Sequence, residues 1–187
     1  MFDSRVKLRD LEENDIPLFL NYWYKSPEAF LRGMGVDPNK MLPPHEFETS
    51  LRATLEKNVQ EAKSKMPFLT IELDGRAVGS HSIGDLVEGD TAVFHAHVWD
   101  QSARRIGLCT YTYPRAAMIF MDRFSLKELL FKTPSLNPGA NRIKQKLGIE
   151  CTGEESISYP FMLPNLTARV YRLSRESLGS LLKSQSQ

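Results

Sequence analysis

The sequence has 187 residues, a length suited to one domain. Hydrophobic residues make up 41% and charged residues 25%, which provides a core without staples and excludes wholesale disorder. Lys plus Arg is 24 against 23 for Asp plus Glu, a net charge of +1 that excludes a broad electrostatic attraction to nucleic acid or anionic lipid. Taken in chain order, Arg5-Val6-Lys7-Leu8-Arg9 alternates and predicts a strand with Val6 and Leu8 inward. Asn14 or Asp15 offers an N-cap with Pro17 in the first turn, and Leu18, Phe19, Tyr22 and Trp23 follow at helical spacing. Ser26-Pro27-Glu28 starts a short helix through Leu31, and the Gly- and Pro-rich residues 33–44 form a loop. From His45 to Ser64, Phe47, Leu51, Leu55, Val59 and Ala62 set one apolar stripe on a long helix.

Phe68 to Leu73 reads as a strand, Asp74-Gly75 as a hairpin turn and Ala77 to Val87 as the returning strand. After the turn Glu88-Gly89-Asp90, Thr91 to Trp99 is a third strand, so the three form an antiparallel meander. Leu108 to Phe124 is helical, with Pro114 expected to kink it or break its first turns. Glu128 to Thr133 is a strand, Pro138 to Leu147 a helix closed by Gly148, and Ile149 to Ser156 and Ala168 to Leu173 the last strands. The fold class is α+β, with a mixed, mostly antiparallel sheet of six or seven strands and helices on both faces. Residues 1–175 are expected to form a single domain and 176–187 a C-terminal tail, whose last stretch, Ser180 to Gln187, is polar at its end and frays. The longest apolar run, Ala116 to Met121, is far short of the ~20 residues that span a bilayer, and the first ten residues hold no apolar signal core. Cys109 and Cys151 form neither a CxxC pair nor a disulfide framework, so a reducing cytoplasm is the expected compartment.

Arg104-Arg105-Ile106-Gly107-Leu108-Cys109 lies between a strand end and a helix start. Amides there point from the positive end of a helix dipole, which suits phosphate, and a glycine lets the main chain approach closely. A strand–loop–helix turn also needs a glycine for purely structural reasons.

Arg-x-x-Gly-x-Cys at 104–109 resembles the acetyl-CoA signature Arg/Gln-x-x-Gly-x-Gly/Ala of the GCN5-related N-acetyltransferases. Asn137-Pro138-Gly139-Ala140 followed by Lys146-Leu147-Gly148-Ile149 resembles the Asn-x-x-Ser…Lys-Leu-Gly-Phe segment of the branch that acetylates ribosomal-protein N-termini. The element order agrees from residue 5 to about 173. The resemblance implies acetyl-CoA bound as co-substrate where parallel strands 91–99 and 128–133 splay apart. It places Val98 and Trp99 along the pantetheine arm, the N–H groups of Arg104, Arg105, Ile106, Gly107, Leu108 and Cys109 on the pyrophosphate, and Asn137 on the pantetheine side. It further implies direct attack by a primary amine, either a protein N-terminus or a small amine. A monomer or homodimer is expected, with no nucleic-acid or membrane partner.

The chain departs from that pattern where the chemistry sits. Ala140 replaces the family's Ser, strand 91–99 carries no carboxylate, and the frequent Tyr position falls on Lys144. His95 and His97, on one face of the strand that ends at the thioester, are the candidate bases, since imidazole titrates near neutrality. Glu72 and Asp85 are alternative carboxylates. His81 with the His-x-His pair could build a zinc site, but nothing else in the sequence supports one and no metal is expected. Cys109 at a helix start could have a lowered thiol pKa. Arg32, Asp37 and Lys40 in the loop at 32–40 could select a charged acceptor, while Tyr22, Trp23 and Phe30 read as core. Tyr111 and Tyr113 either line the cofactor cleft or pack. A catalytically weak or inactive CoA-binding module is the alternative to an enzyme.

Overall fold

The computed structural model describes residues 2–60 and 65–185. Seven strands, β1 (Val6–Asp10), β2 (Phe68–Leu73), β3 (Arg76–Val87), β4 (Thr91–Val98), β5 (Glu128–Pro134), β6 (Glu150–Ile157) and β7 (Leu166–Ser174), form one sheet in the order β1-β2-β3-β4-β5-β7-β6. Every pairing is antiparallel except β4 with β5. The helices are α1 (Ile16–Tyr24), α2 (Glu28–Gly33), α3 (Pro44–Gln60), α4 (Leu108–Arg123), α5 (Pro138–Lys146) and α6 (Arg175–Gln185).

The alternation of β4 divides the core between the two faces of the sheet. Ala92 and Phe94 pack with Ala116, Ala117 and Phe120 of α4. On the other face Leu11, Ile16, Phe19, Leu51 and Met66 form a second core, against which Phe68 and Trp99 pack. The expected α+β sheet with helices on both faces is therefore present, and its parallel central pair is splayed. Among the described residues no helix is long and apolar enough to cross a membrane.

Three local expectations are corrected. Helix α4 runs through Pro114 unbroken; Tyr113, Ala116, Ala117, Phe120 and Met121 around it are all buried, and that packing outweighs one lost amide bond. The expected fraying from Ser180 is not seen over the described residues: α6 runs to Gln185, buries Leu178 completely and packs Leu181 and Leu182 against the α4 core. In α3, Val59 is 66% exposed while Asn58 is buried. A four-residue step drifts by about 40° per repeat, so Asn58, eleven residues after Phe47, returns closer to the apolar stripe than Val59 does. The expected extension of α3 to Ser64, with Ala62, lies outside the described residues.

Candidate active site

The site begins where β4 and β5 part. They pair only at Thr91↔Glu128, Ala92↔Leu129 and Val93↔Leu130. Beyond Val93, β4 keeps its ladder with β3 to Gly79↔Val98, and β5 keeps its own with β7 to Pro134↔Ala168. A wedge opens between them. The Trp99 N–H donates to the Val78 carbonyl at 2.7 Å. By the alternation of an antiparallel ladder this turns the amides of Ala96 and Val98 toward the wedge. The Val98 amide thus faces the wedge, whereas the Trp99 amide belongs to β3 and the Trp99 ring packs on Phe19 at 4.7 Å.

From β4 the chain passes through a short turn, Gln101–Ala103, to α4. Arg105 (φ 65°) and Gly107 (φ 89°) both take left-handed backbone. A side chain at 107 would meet only the Phe2 ring, at 3.9 Å, so the dihedral rather than crowding asks for glycine. The first amides of α4 have no carbonyl one turn earlier and lie at the positive end of the helix. Arg104, Arg105, Gly107, Leu108 and Cys109 line one wall of a cleft of about 730 Å³, opposite Arg142 and Lys146 of α5. Ile106 is exposed and its residue is not part of this wall.

Arg104 does not reach for phosphate. Its guanidinium donates to the carbonyls of Val98 (3.0 Å) and Trp99 (3.3 Å) and stacks over Phe30 at 4.5 Å, fixing the loop to the end of β4. Arg105, Arg142 and Lys146 supply the positive rim instead. Arg142 carries no motif, and Lys146 entered only through the Lys-Leu-Gly segment; their four-residue spacing in a short helix was the signal for a shared basic face. Leu108 contributes backbone only, since its side chain is buried with Ile71, Leu73 and Val78. Burial raises the Cys109 thiol to about 11, opposite to the expected lowering.

A second cavity, of about 400 Å³, adjoins this cleft along Ala96 and His97. Asn137 stands at its edge as the N-cap of α5, accepting from the Ala140 N–H at 3.1 Å. Ala140 offers only a methyl where the family pattern has a hydroxyl. Lys144, one turn on, is only 4% exposed and lines the cavity. Its Nζ donates to Tyr113 Oη at 3.4 Å and lies 5.2 and 5.6 Å from the ring centroids of Tyr113 and Phe131. Burial lowers this amine from 10.5 to about 8. The sequence showed Lys144 as a missing tyrosine; it did not show an ammonium enclosed by rings.

The histidines separate. His97 lines both cavities and a third beside α1 and α3. Its Nδ1 is 3.1 Å from Tyr22 Oη, and its ring meets Trp23 edge-on at 4.9 Å. Burial, reinforced by His95 and Lys144, lowers its pKa to about 3, so it is neutral at any ordinary pH. His95 opens to the second cavity; desolvation by the cavity walls lowers its pKa, and nearby Asp85 acts in the other direction. Asp85 accepts from Tyr159 Oη at 2.6 Å and lines the same cavity.

His81 pairs with Ala96 in register and therefore projects from the opposite face to His95 and His97. It is buried between Phe94 and Tyr113, with Nε2 2.8 Å from Thr112 Oγ1. The three histidines do not converge, and among the described residues no group of three or more His, Cys, Asp or Glu is placed to hold a metal ion. Glu72 is engaged by Arg9 at 2.6 Å, far from the wedge in the sheet order. Tyr111 bonds Asp3 and packs under Arg115, outside the cleft wall, while Tyr113 packs in the core at the cavity floor.

In the loop after α2, the expected charge selection is reversed. Arg32 pairs with Glu28 at 2.7 Å, and Asp37 lies 3.8 Å from Arg32 and 3.9 Å from Lys40. Its apolar residues Val36, Met41 and Leu42 line the third cavity. Trp23 lines that cavity too, and Tyr22 and Phe30 the cofactor-side cleft, so all three are walls as well as core.

No protein-family model matches the sequence, and no curated protein matches it. Solved structures do. A spermidine N-acetyltransferase from Vibrio cholerae, in complex with CoA and spermine, aligns at TM-score 0.73 and 14% identity over 94% of this chain and 99% of its own. RimL, a ribosomal alpha-N-protein acetyltransferase in complex with coenzyme A, aligns at TM-score 0.73 and 11% identity over 95% and 98%. A microcin self-immunity acetyltransferase, MccE, in complex with acetyl-CoA and AMP, aligns at 0.71 and 13% over 92% and 93%. At these identities the likeness shows the fold, which is that of the GCN5-related N-acetyltransferases.

Proposed function

We propose that the chain transfers an acetyl group from acetyl-CoA to a primary amine by direct attack, without an acyl-enzyme. The observation that carries this reading is the wedge between β4 and β5, with the amides of Ala96 and Val98 on one side and the start of α4 at its mouth. Phosphates sit on the first amides of α4, with Arg105, Arg142 and Lys146 around them. The pantetheine arm lies along Ala96 and Val98 as an added strand, past Asn137. The thioester then ends beside His97, where the three cavities meet.

The amine nitrogen attacks the thioester carbon, the C–N bond forms and the C–S bond breaks. His95, neutral because its pKa is lowered and open to the cavity, accepts the proton that the amine gives up, with Asp85 favouring its charged form. His97 is too weak a base for that transfer; its neutral ring orients the acceptor. The departing thiolate takes a proton from the Lys144 ammonium, which its burial makes a readier acid than an ordinary lysine. Solvent restores both groups. The arrangement replaces the family's tyrosine with a different acid at the same helical position.

The experiment is thiol release from acetyl-CoA with an amine panel. Turnover is expected, with a rate that falls as pH rises through about 8, where Lys144 loses its proton. Lys144→Met should lower kcat by roughly a hundredfold and abolish that alkaline limb. CoA binding without thiol release from any amine would make the chain a binding module instead.

A further inference from the structure

The third cavity encloses about 250 Å³ and opens onto the thioester position at His97 and Ser82. Its walls include six aromatic rings, Phe19, Trp23, Tyr24, Phe47, Phe68 and Phe161. No lining side chain is charged: the Tyr24 hydroxyl is spent on the Leu42 carbonyl at 2.7 Å, and His97 is neutral. An apolar cavity of ~150 Å³ holds one benzene ring, so this one has room for a ring with a short carbon chain or for two fused rings. In the adjoining cavity, Asp85 is the one carboxylate among the lining residues, and Lys132 there is paired with Glu155 at 2.7 Å. With the Lys144 ammonium already in that cavity, the path from Asp85 to the apolar end offers counter-charge for at most one further ammonium and none for a second.

We propose that the acceptor is a monoamine bearing one aromatic or similarly bulky apolar group, which the cavity beside α1 and α3 holds while its nitrogen reaches the thioester. The proposal rests on the transferase reading above and names the class of its acceptor. A polyamine fits poorly, because its further ammonium groups would enter a wall with no carboxylate. Leu42, 53% exposed at the cavity, and Met41 beside it come from the same loop whose charges are paired away from it.

The test compares kcat/KM with acetyl-CoA for phenethylamine, tryptamine, ethylamine and spermine. Burial of the ring should favour the two arylalkylamines over ethylamine by roughly ten- to a hundredfold, with spermine no better than ethylamine. Met41→Trp, which fills the cavity, should reduce the phenethylamine-to-ethylamine ratio. Leu42→Asp, at a site exposed enough to accept a charge in the folded protein, should reduce it as well. Equal kcat/KM values for phenethylamine and ethylamine, or a ratio that neither variant moves, overturn the proposal. So does a Met41→Trp protein that loses activity with octanoyl-CoA while its amine ratio stands, since the cavity would then hold an acyl chain. If no amine releases thiol, the transferase reading fails and titration calorimetry on the CoA-loaded protein decides the subsite. Tighter binding of phenethylamine than of ethylamine upholds it, and no difference overturns it.

Discussion

At the β1–β2 seam the sheet is zipped over the whole of β1, from Val6↔Leu73 to Asp10↔Leu69; at the β4–β5 seam it is zipped over three pairs and then opens. The first seam is locked by charge. Arg9 donates to Asp15 at 2.6 and 2.9 Å and to Glu72 at 2.6 Å, and Asp15 also accepts from Thr70 Oγ1 and the Glu12 N–H. The second seam gives such satisfaction up. Lys144 has a single long bond to Tyr113, and close by on β3, Ser80 Oγ and His81 Nδ1 are buried without a hydrogen-bond partner among the described residues. One seam holds the sheet together and the other holds space for a ligand, and of the buried polar atoms left without a partner among the described residues none belongs to β1 or β2.

The sharpest way to break the contrast is Asp15→Ala. Asp15 is 2% exposed; burial alone would raise its pKa, but the bonds from Arg9, Glu12 and Thr70 outweigh this and leave it lowered. Removing it leaves Arg9 paired with Glu72 but takes the acceptor from Thr70 Oγ1 and the Glu12 N–H, which should cost about 2–3 kcal/mol by chemical denaturation. CoA affinity of the folded protein should change far less, because no atom of that cluster lines the wedge cavities.

The open seam responds to Gly107→Asp, with a smaller effect on stability and a larger one on binding. Left-handed backbone at φ 89° strains most side chains by ~1–3 kcal/mol, and a carboxylate there also repels phosphate. The dissociation constant for CoA should rise at least tenfold, on the order of 1.4 kcal/mol. Gly107→Asn tolerates the dihedral better and adds no charge, so it should weaken binding only a few-fold. Equal losses in the two variants, measured by calorimetry, would show that backbone strain and not phosphate repulsion governs the loop.

The two seams were not equally legible in the sequence. Strands β2, β3 and β4 followed from alternation, Asp74-Gly75 and Glu88-Gly89-Asp90, because hairpin registers are set locally. The signature loop was found from Gly107 and its place between a strand and a helix. The side chain of Arg104 was not legible: its charge suits phosphate, but its guanidinium is turned onto the Val98 and Trp99 carbonyls, a contact that residue type does not foretell. Lys144 and the aromatic cavity were not legible as a site. Their meaning depends on residues distant in sequence being brought together, Lys144 bonded to Tyr113 and Phe161 lining the same cavity as Phe19, which no local spacing encodes. His97 was found, but its weak basicity comes from burial, which alternation does not measure.

The contrast also sharpens through pH. His81 is fully buried behind the open seam, and desolvation lowers its pKa from 6.5 to about 3. The unfolded chain binds a proton there below pH 6.5, whereas the folded protein does not until about pH 3. Stability therefore falls as pH drops through that window, at a slope of about 1.4 kcal/mol per pH unit for each such histidine. His97 adds a second contribution of the same sign. Lys144 acts at the other end: its folded pKa of about 8 lies below the ordinary 10.5, so the cost of burying it is relieved as pH rises between those values. His81→Gln retains a partner for Thr112 and should reduce the proton uptake on unfolding near pH 5 by about one, measured from the pH dependence of urea denaturation. An unchanged uptake would mean that His81 is already charged in the folded protein, and the floor of the wedge would then be wetter than the geometry around Phe94 and Tyr113 allows.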